Sequence, residues 1–380
     1  MDRISVYEVV TFGITVVIAT AVLFTPYFVV QAAGQSAWIS VLVAGIISCI
    51  PTAAAVYVIS KFPGKSVTQA LPDMLGVFLG KVVSIFYAGS FLFLAALGIW
   101  RMEAFATRFL IPETPQLVIR IVFLLAIAYG AFSGSIPLLR TNAYVVPLAV
   151  FASIVTLILT ADNINFSYLF PLFEGGVMPT LNGAILLLGW YCQVPIVILM
   201  LQRYVDEKSL RGAGLKSVLG ILALAVSLSI GFAGILAAFG PKQTATMYYP
   251  ALSWVRITSL STFLEHTEVV FVWMWVATIY LSTTFYIQSF AESISDTINL
   301  SGKSAKTWII IFTILILAIW PLFGNLSIYK LISTIRDYGA LVGITIGGIL
   351  PLIFLLKIAI FPPEQKKEKR NENKNNSGEK

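Results

Sequence analysis

Two proline-interrupted apolar stretches carry the residues whose types could bind a small solute. These are IATAVLFTP, which ends at Pro26, and LLLGWYCQVP, which ends at Pro195. A proline ring disrupts the helical hydrogen bonding of the preceding turn, and backbone groups freed in this way can contact a ligand. Proline and glycine also merely kink many membrane helices, but interruptions at corresponding positions of two helices favour a binding site. The candidate residues here are Ala19, Thr20, Tyr191 and Cys192.

Two other helical stretches offer small polar side chains at a spacing of four. Ser90 and Leu94 share one helix face, and Ser282 and Tyr286 share another, because residues four apart lie on the same side of a helix. A small hydroxyl and a phenol suit the side walls of a pocket for a polar solute. Membrane helices also use Ser and Thr for close packing, so a structural role stays open for each of them.

The sequence gives little support for metal binding or enzymatic catalysis. The two cysteines, Cys49 and Cys192, lie in apolar runs, and His266 is the only histidine, which argues against a metal site. No nucleophile and base can be paired, so we expect neither an enzyme nor a cofactor. His266 as a pH or ligand sensor is a weak alternative.

The composition predicts an integral membrane protein. Of 380 residues, 58% are hydrophobic and only 11% are charged, against roughly 25% charged in soluble proteins. The net charge of +7 includes a basic C-terminal segment, which suits a lipid bilayer surface. No basic face is interleaved with aromatic residues, so a nucleic-acid partner is not expected.

Ten apolar runs are long enough to cross a bilayer, which takes roughly 20 residues. Only GSIPLLRTN separates the fourth run from the fifth, and its Pro137 and Arg140 favour a turn there over one long helix. The predicted spans are 6–30, 38–60, 81–107, 115–135, 137–161, 179–202, 215–240, 267–290, 306–324 and 338–361.

These spans predict an all-α membrane domain over residues 1–361, divided into two inverted five-helix repeats at roughly 1–161 and 179–361. The first helix of each repeat would be the interrupted one, which places a solute site near the midplane. With both termini in the cytoplasm, eighteen of the 25 Lys and Arg residues lie on that side, as the positive-inside rule requires. The polar segment 362–380 is expected to be disordered.

Several features near the helix ends have plainer interpretations. Arg101 and Glu103 are expected to anchor the third span at the membrane surface. The connection after Gly240 is expected to contain a short interfacial helix. Gly343 and Gly347 form a GxxxG pattern, which hints at close helix packing.

Four stretches, in this order and spacing, resemble the spore germination permeases, the membrane B subunits of nutrient germinant receptors. They are AWISVLVAG, FPGKSVTQALPDMLGVFLGK, RTNAYVVPL and YPALSWVRITSLSTFLEHTEVVFVWMW. The likeness covers roughly residues 4–360.

The resemblance implies an amino acid/polyamine/organocation transporter fold, related to LeuT, used as a receptor for a small-molecule germinant such as an amino acid, sugar or nucleoside. It implies residence in the spore's inner membrane with an A-type subunit and a C-type lipoprotein subunit. It also implies that ligand contacts lie at Ala19, Ser90, Leu94, Cys192, Ser282 and Tyr286.

The chain departs from the family pattern at both interruptions. Relatives tend to have Gly-x-Gly where this chain has Ala19, Thr20 and Ala21. In the sixth helix they have an aromatic residue followed by a glycine and a glutamate two residues apart, where this chain has Tyr191 followed by Gln193 and Pro195. The leading hypothesis is a germinant-receptor subunit. The alternatives are a secondary transporter of amino acids or related solutes, and a scaffold for the other subunits.

Overall fold

The computed structural model describes residues 3–159, 164–206, 212–257, 268–300, 302–319 and 327–361, and they are almost entirely helical. The helices are α1 (Val6–Ala21), α2 (Thr25–Ala33), α3 (Ala37–Ser60), α4 (Val67–Leu75), α5 (Val77–Phe105), α6 (Gln116–Ser133), α7 (Ser135–Leu159), α8 (Val177–Tyr191), α9 (Gln193–Leu201), α10 (Ala213–Thr244), α11 (Pro250–Arg256), α12 (Glu268–Thr297), α13 (Lys303–Ile319), α14 (Ile328–Thr334), α15 (Ala340–Gly343) and α16 (Leu350–Ile360).

The helices have the dimensions and surfaces of membrane spans. Among the described residues, eight helical stretches are long and apolar enough to cross a bilayer, and Val6–Ala21 and Ser304–Ile319 are shorter apolar helices. Their outward faces carry large apolar side chains, such as Phe78 at 78% exposure. An apolar exterior of this extent belongs in lipid rather than water, so the chain is a multi-pass membrane protein.

The turn between α6 and α7 lies within GSIPLLRTN, so the predicted separation of these two spans is confirmed. It falls at Gly134, whose φ of 91° is accessible to glycine at little steric cost. Pro137 and Arg140, which favoured a turn in this segment, lie inside α7 rather than in the turn itself. A proline fits the first turn of a helix because its missing N–H would have no helical partner there.

Other boundaries also move. The third span begins at Val77, the eighth continues to Thr297 and the last begins at Ile328, while α4 forms between the second and third spans. Helix α11 supplies the short helix expected after Gly240. Residues 258–267, which include His266, and segment 362–380 lie outside the described residues.

The core is built around the two interrupted helices. Every residue of α9 is buried, α1 packs against α9, α12 and α7, and α12 runs along α5. The four helices α1, α5, α9 and α12 therefore surround one region in the middle of the bundle.

Candidate functional site

The first interruption separates α1 from α2. Helix α1 ends at Ala21 and α2 begins at Thr25, with Pro26 in its first turn. Because Pro26 has no backbone N–H, the carbonyl four residues earlier, on Val22, loses its helical donor. The expected interruption is present, but it lies at Val22–Phe24, so Ala19 and Thr20 occupy the last turn of α1.

The second interruption is a single residue between α8 and α9. Cys192, with φ −65° and ψ −4°, separates Tyr191 from Gln193. Pro195 lacks the N–H that would bond the Tyr191 carbonyl. This interruption is shorter than the first, with one residue between the helices instead of three. It occurs just before Pro195, as the sequence indicated.

The two interruptions meet at the buried side chain of Gln193. The Tyr286 hydroxyl of α12 donates a hydrogen bond to Gln193 Oε1 at 2.7 Å, and the Thr20 hydroxyl lies 3.3 Å from the same oxygen. Gln193 Nε2 is buried and has no hydrogen-bond partner among the described residues. We call Thr20, Gln193 and Tyr286 the central triad. The sequence placed Gln193 in the interrupted stretch, but we had not predicted it as a ligand-binding residue.

Helix α12 forms one wall of this region. Trp275 Nε1 donates to the Ala19 carbonyl at 3.1 Å, which connects α12 to the last turn of α1. Ser282 lies four residues before Tyr286, and Trp275 lies eleven residues before it. Both separations place side chains on the same face of a helix, so the three residues share one face of α12. The Ser282 hydroxyl donates to the carbonyl of Ile279 and is satisfied within its own helix.

Helix α5, which packs along α12, forms the adjoining wall. Ser90 and Leu94 are both buried, and the Ser90 hydroxyl donates to the Phe86 carbonyl at 2.8 Å. Arg101 lies eleven residues beyond Ser90, so the same helix face also carries a guanidinium group. The structure thus adds a charged residue to a wall that the sequence described as polar and small.

Cys192 and Tyr191 are buried but face other helices. The Cys192 sulfur lies 3.2 Å from the position that a Cβ on Gly348 would occupy, and the Tyr191 ring lies near Gly45 of α3. The contacts that define the central triad therefore do not include the Cys192 thiol. Its main chain, rather than its sulfur, belongs to the interruption.

The GxxxG pattern packs directly on the second interruption. A Cβ on Gly343 would stand 1.9 Å from the Gly189 carbonyl oxygen, and one on Gly347 would stand 1.8 Å from the Cys192 carbonyl oxygen. Close packing at these two glycines is confirmed, and no larger residue fits without a shift of the backbone.

Gly347→Ala is therefore expected to destabilise the chain by about 1 to 3 kcal/mol, as overpacking of a filled interior does. The midpoint of thermal unfolding of the detergent-solubilised chain measures this loss. The matched control is Gly89→Ala in α5, where a Cβ meets no atom within 4 Å. An equal midpoint for the two variants would contradict the packing described here.

An aromatic cluster covers the central region at the ends of α1 and α5. The ring of Tyr249 lies 4.9 Å from that of Phe24 and 4.7 Å from that of Phe109, and Phe105 lies 4.8 Å from Trp275. Burial raises the pKa of the Tyr249 hydroxyl, which therefore stays protonated and donates to the Ala104 carbonyl at 3.4 Å. Access from this side requires these rings to move.

Arg101 and Glu103, near the end of α5, are buried rather than superficial. Arg120 donates from Nε and Nη2 to the two oxygens of Glu103 at 3.0 and 2.7 Å, with side-chain exposures of 5% and 3%. Arg101 is 1% exposed, and its guanidinium lies 4.8 Å from the centre of the Trp190 ring. Surface anchoring of Arg101 and Glu103 was therefore wrong. A sequence shows the charges at a helix end but not the neighbouring helices that cover them.

A second polar group, the Arg203 cluster, lies at the far end of α9. Arg203 contacts Glu292 at 3.2 Å and Asp296 at 3.5 Å on α12, and the Tyr204 hydroxyl donates to Glu292 at 2.6 Å. Asp296 also accepts hydrogen bonds from the start of α4, from Ser66, Thr68 and Gln69. The cluster thus joins the second interrupted helix to α12 and α4.

Comparison with curated proteins shows relatives of a single kind. Spore germination protein XB of Bacillus anthracis is 22% identical over 85% of this chain and 89% of its own length. Spore germination protein YndE of Bacillus subtilis (strain 168) is 22% identical over 93% of this chain and 96% of its own length.

Comparison with solved structures shows the fold. Mhp1, a nucleobase-cation-symport-1 family transporter solved closed with bromovinylhydantoin bound, superposes with a TM-score of 0.67 at 15% identity, covering 98% of this chain and 97% of Mhp1. MhsT in complex with L-phenylalanine gives 0.62 at 15% identity, covering 94% of this chain and 99% of MhsT. The chain therefore has the fold of these transporters.

The family follows from the sequence itself. The profile of the spore permease family, described as "Spore germination protein", matches residues 3–327. This match spans most of the chain and agrees with the curated relatives and with the transporter fold. The chain therefore belongs to the spore permease family of spore germination proteins.

Proposed function

We propose that this chain is the membrane subunit of a nutrient germinant receptor and that a small germinant binds where the two interrupted helices meet. The observation that carries this proposal is the central triad, in which buried polar groups from α1, α9 and α12 converge on Gln193. Ligand sites of this fold class lie where discontinuous helices free their backbone groups. Ala19, Thr20, Ser90, Leu94 and Ser282 line the walls, and Tyr191 and Cys192 contribute the backbone of the second interruption.

The proposed architecture has ten membrane-crossing helices in two inverted sets of five. Both termini lie in the cytoplasm, and the protein lies in the inner membrane of the spore. An A-type subunit and a C-type lipoprotein subunit are the proposed partners. The eight long apolar stretches and the two shorter apolar helices among the described residues are consistent with this count.

Binding would trigger germination by shifting a conformational equilibrium. A ligand shifts such an equilibrium only through its different affinities for the two states, and the coupling between sites is typically about 1 to 3 kcal/mol. The central triad is suited to this role because one amide connects three helices. Any movement of α9 relative to α1 and α12 changes its hydrogen bonds.

The alternative is a secondary transporter of amino acids or related small solutes, which the fold of Mhp1 and MhsT favours. Uptake of labelled amino acids into proteoliposomes containing this chain alone would support transport. Loss of the response of spores to a nutrient after deletion of the chain, with no uptake, supports the receptor.

Tyr286→Phe is expected to raise the nutrient concentration for half-maximal germination by about 2- to 12-fold, since one hydrogen bond contributes about 0.5 to 1.5 kcal/mol. The variant removes the bond to Gln193 Oε1 and keeps the ring. Tyr280→Phe, on another face of α12, is the matched control. The proposed site would be wrong if both variants gave the dose curve of the unmodified chain at equal protein level.

A further inference from the structure

Arg101 is a buried cation for which the described residues supply no anion. It is 1% exposed, and its Nε and Nη2 atoms have no hydrogen-bond partner in the described part of the chain. The nearby carboxylate of Glu103 is occupied by Arg120 through both of its oxygens. The guanidinium lies over the ring of Trp190, 4.8 Å from its centre.

An arrangement of this kind is costly unless something completes it. Arginine stays protonated in proteins, and a buried charge requires a partner or hydrogen bonds to offset its lost hydration. Stacking on an aromatic ring offsets only a part of that cost. An anionic group arriving from outside the chain would recover the rest.

Arg101 lies beside the proposed ligand site. It occupies the same face of α5 as Ser90 and Leu94, and its guanidinium lies 4.8 Å from the centre of the Trp190 ring. Trp190, on which it stacks, directly precedes Tyr191 at the second interruption. The guanidinium therefore joins the wall formed by α5 to the interrupted helix.

The other unsatisfied polar atoms along this segment can all donate hydrogen bonds. Trp190 Nε1 and Gln193 Nε2 are buried with no partner among the described residues. Together with Arg101 they leave a surplus of donors and a shortage of acceptors. A carboxylate supplies acceptors only, and its two oxygens match the planar guanidinium.

The end of α1 is less suited to that task. A helix C-terminus presents carbonyl groups, which repel an anion, and the Ala19 carbonyl accepts from Trp275, while Ala19, Thr20 and Ala21 are all buried. An anionic ligand therefore meets free donors at Arg101 rather than at the end of α1.

We propose that Arg101 anchors a carboxylate group of the germinant, so that this receptor subunit recognises a carboxylate-bearing nutrient rather than a neutral sugar or nucleoside. This inference rests on the proposed function and specifies the ligand class of that same site. Arg101 binds and orients the ligand. The hydrogen bonds of the central triad, which connect α1, α9 and α12, respond to the position of the bound ligand.

The test uses spores in which this chain is present with its partner subunits, challenged with L-amino acids, with the corresponding amino acid amides, with glucose and with inosine. Germination is expected with at least one amino acid, and the amide of that amino acid should need a concentration higher by on the order of 10- to 150-fold. Arg101→Gln should raise the required amino acid concentration by a similar factor at unchanged protein level. Arg108→Gln, an exposed arginine near the end of the same helix, is the matched control.

A second measurement covers the case in which Arg101→Gln fails to accumulate. The unmodified chain in detergent should show a higher thermal unfolding midpoint with the active amino acid than with its amide or with an equal concentration of sodium chloride. Arg101→Lys keeps the positive charge but loses the planar guanidinium that can donate two parallel hydrogen bonds to a carboxylate. This variant should reduce the shift in the unfolding midpoint. A shift produced equally by chloride would assign Arg101 to inorganic anions and overturn the proposal.

The outcomes separate this inference from the proposed function. If glucose or inosine triggers germination through this chain and Tyr286→Phe still shifts the dose curve, the ligand site stands and the carboxylate anchor is wrong. If deletion of the chain alters no nutrient response, the proposed function itself is wrong.

Discussion

Glu103→Gln is expected to lower the free energy of unfolding of the chain by about 3 to 5 kcal/mol, because it leaves Arg120 as an uncompensated buried charge. The pair is nearly inaccessible, with side-chain exposures of 3% for Glu103 and 5% for Arg120, and both carboxylate oxygens are bonded. The thermal unfolding midpoint of the solubilised chain and its abundance in spore membranes measure the loss.

Two further variants make this prediction specific. Glu113→Gln, an exposed acid in the connection that follows α5, should leave both measurements unchanged. The double variant Glu103→Leu with Arg120→Met should recover most of the lost stability, because an apolar pair of similar size can replace a buried ion pair at little cost. A single variant as stable as the unmodified chain would contradict the burial of this pair.

Asp296→Asn is expected to loosen the Arg203 cluster and with it the end of α9. Asp296 is bonded to Arg203, Ser66, Thr68 and Gln69, so its charge connects α9, α12 and α4. Removing one partner of a buried, hydrogen-bonded charge pair costs about 2 to 5 kcal/mol. Backbone amides near residues 202–206 should therefore exchange with deuterium at least about 30-fold faster.

The matched control is Asp73→Asn, which breaks the exposed ion pair of Asp73 with Lys65. Exposed pairs contribute about 0 to 1 kcal/mol, so exchange near α4 should change little. Exchange that is equally slow in Asp296→Asn and the unmodified chain would show that the cluster does not hold the end of α9.

The elements with local causes could be predicted from the sequence. Pro26 and Pro195 each remove one backbone donor, and both helices are interrupted within one turn before them. The GxxxG pattern and the short helix after Gly240 follow from local sequence in the same way. The turn between α6 and α7 falls inside the predicted GSIPLLRTN segment, at Gly134 with its positive φ, whereas Pro137 fits inside the first turn of α7.

The parts that depend on neighbouring helices could not be predicted. The burial of Arg101 requires Trp190, and the role of Gln193 requires Thr20 and Tyr286, which are distant in sequence. The Cys192 thiol lies against Gly348, which is also distant in sequence. Each of these contacts joins helices that are far apart in sequence, so no single stretch of sequence predicts it. The position of Arg101 on the same helix face as Ser90 and Leu94 was, however, visible in the sequence and could have indicated a place in the site.

The central claim is that the germinant binds between the two interruptions, and a density map of the complete receptor with its activating nutrient tests it most directly. The account predicts ligand density within contact distance of Thr20, Gln193 and Tyr286, with α1 and α2 separate. The account would be contradicted if, at a saturating nutrient concentration, the ligand density lay elsewhere and the hydrogen bonds of the central triad were unchanged.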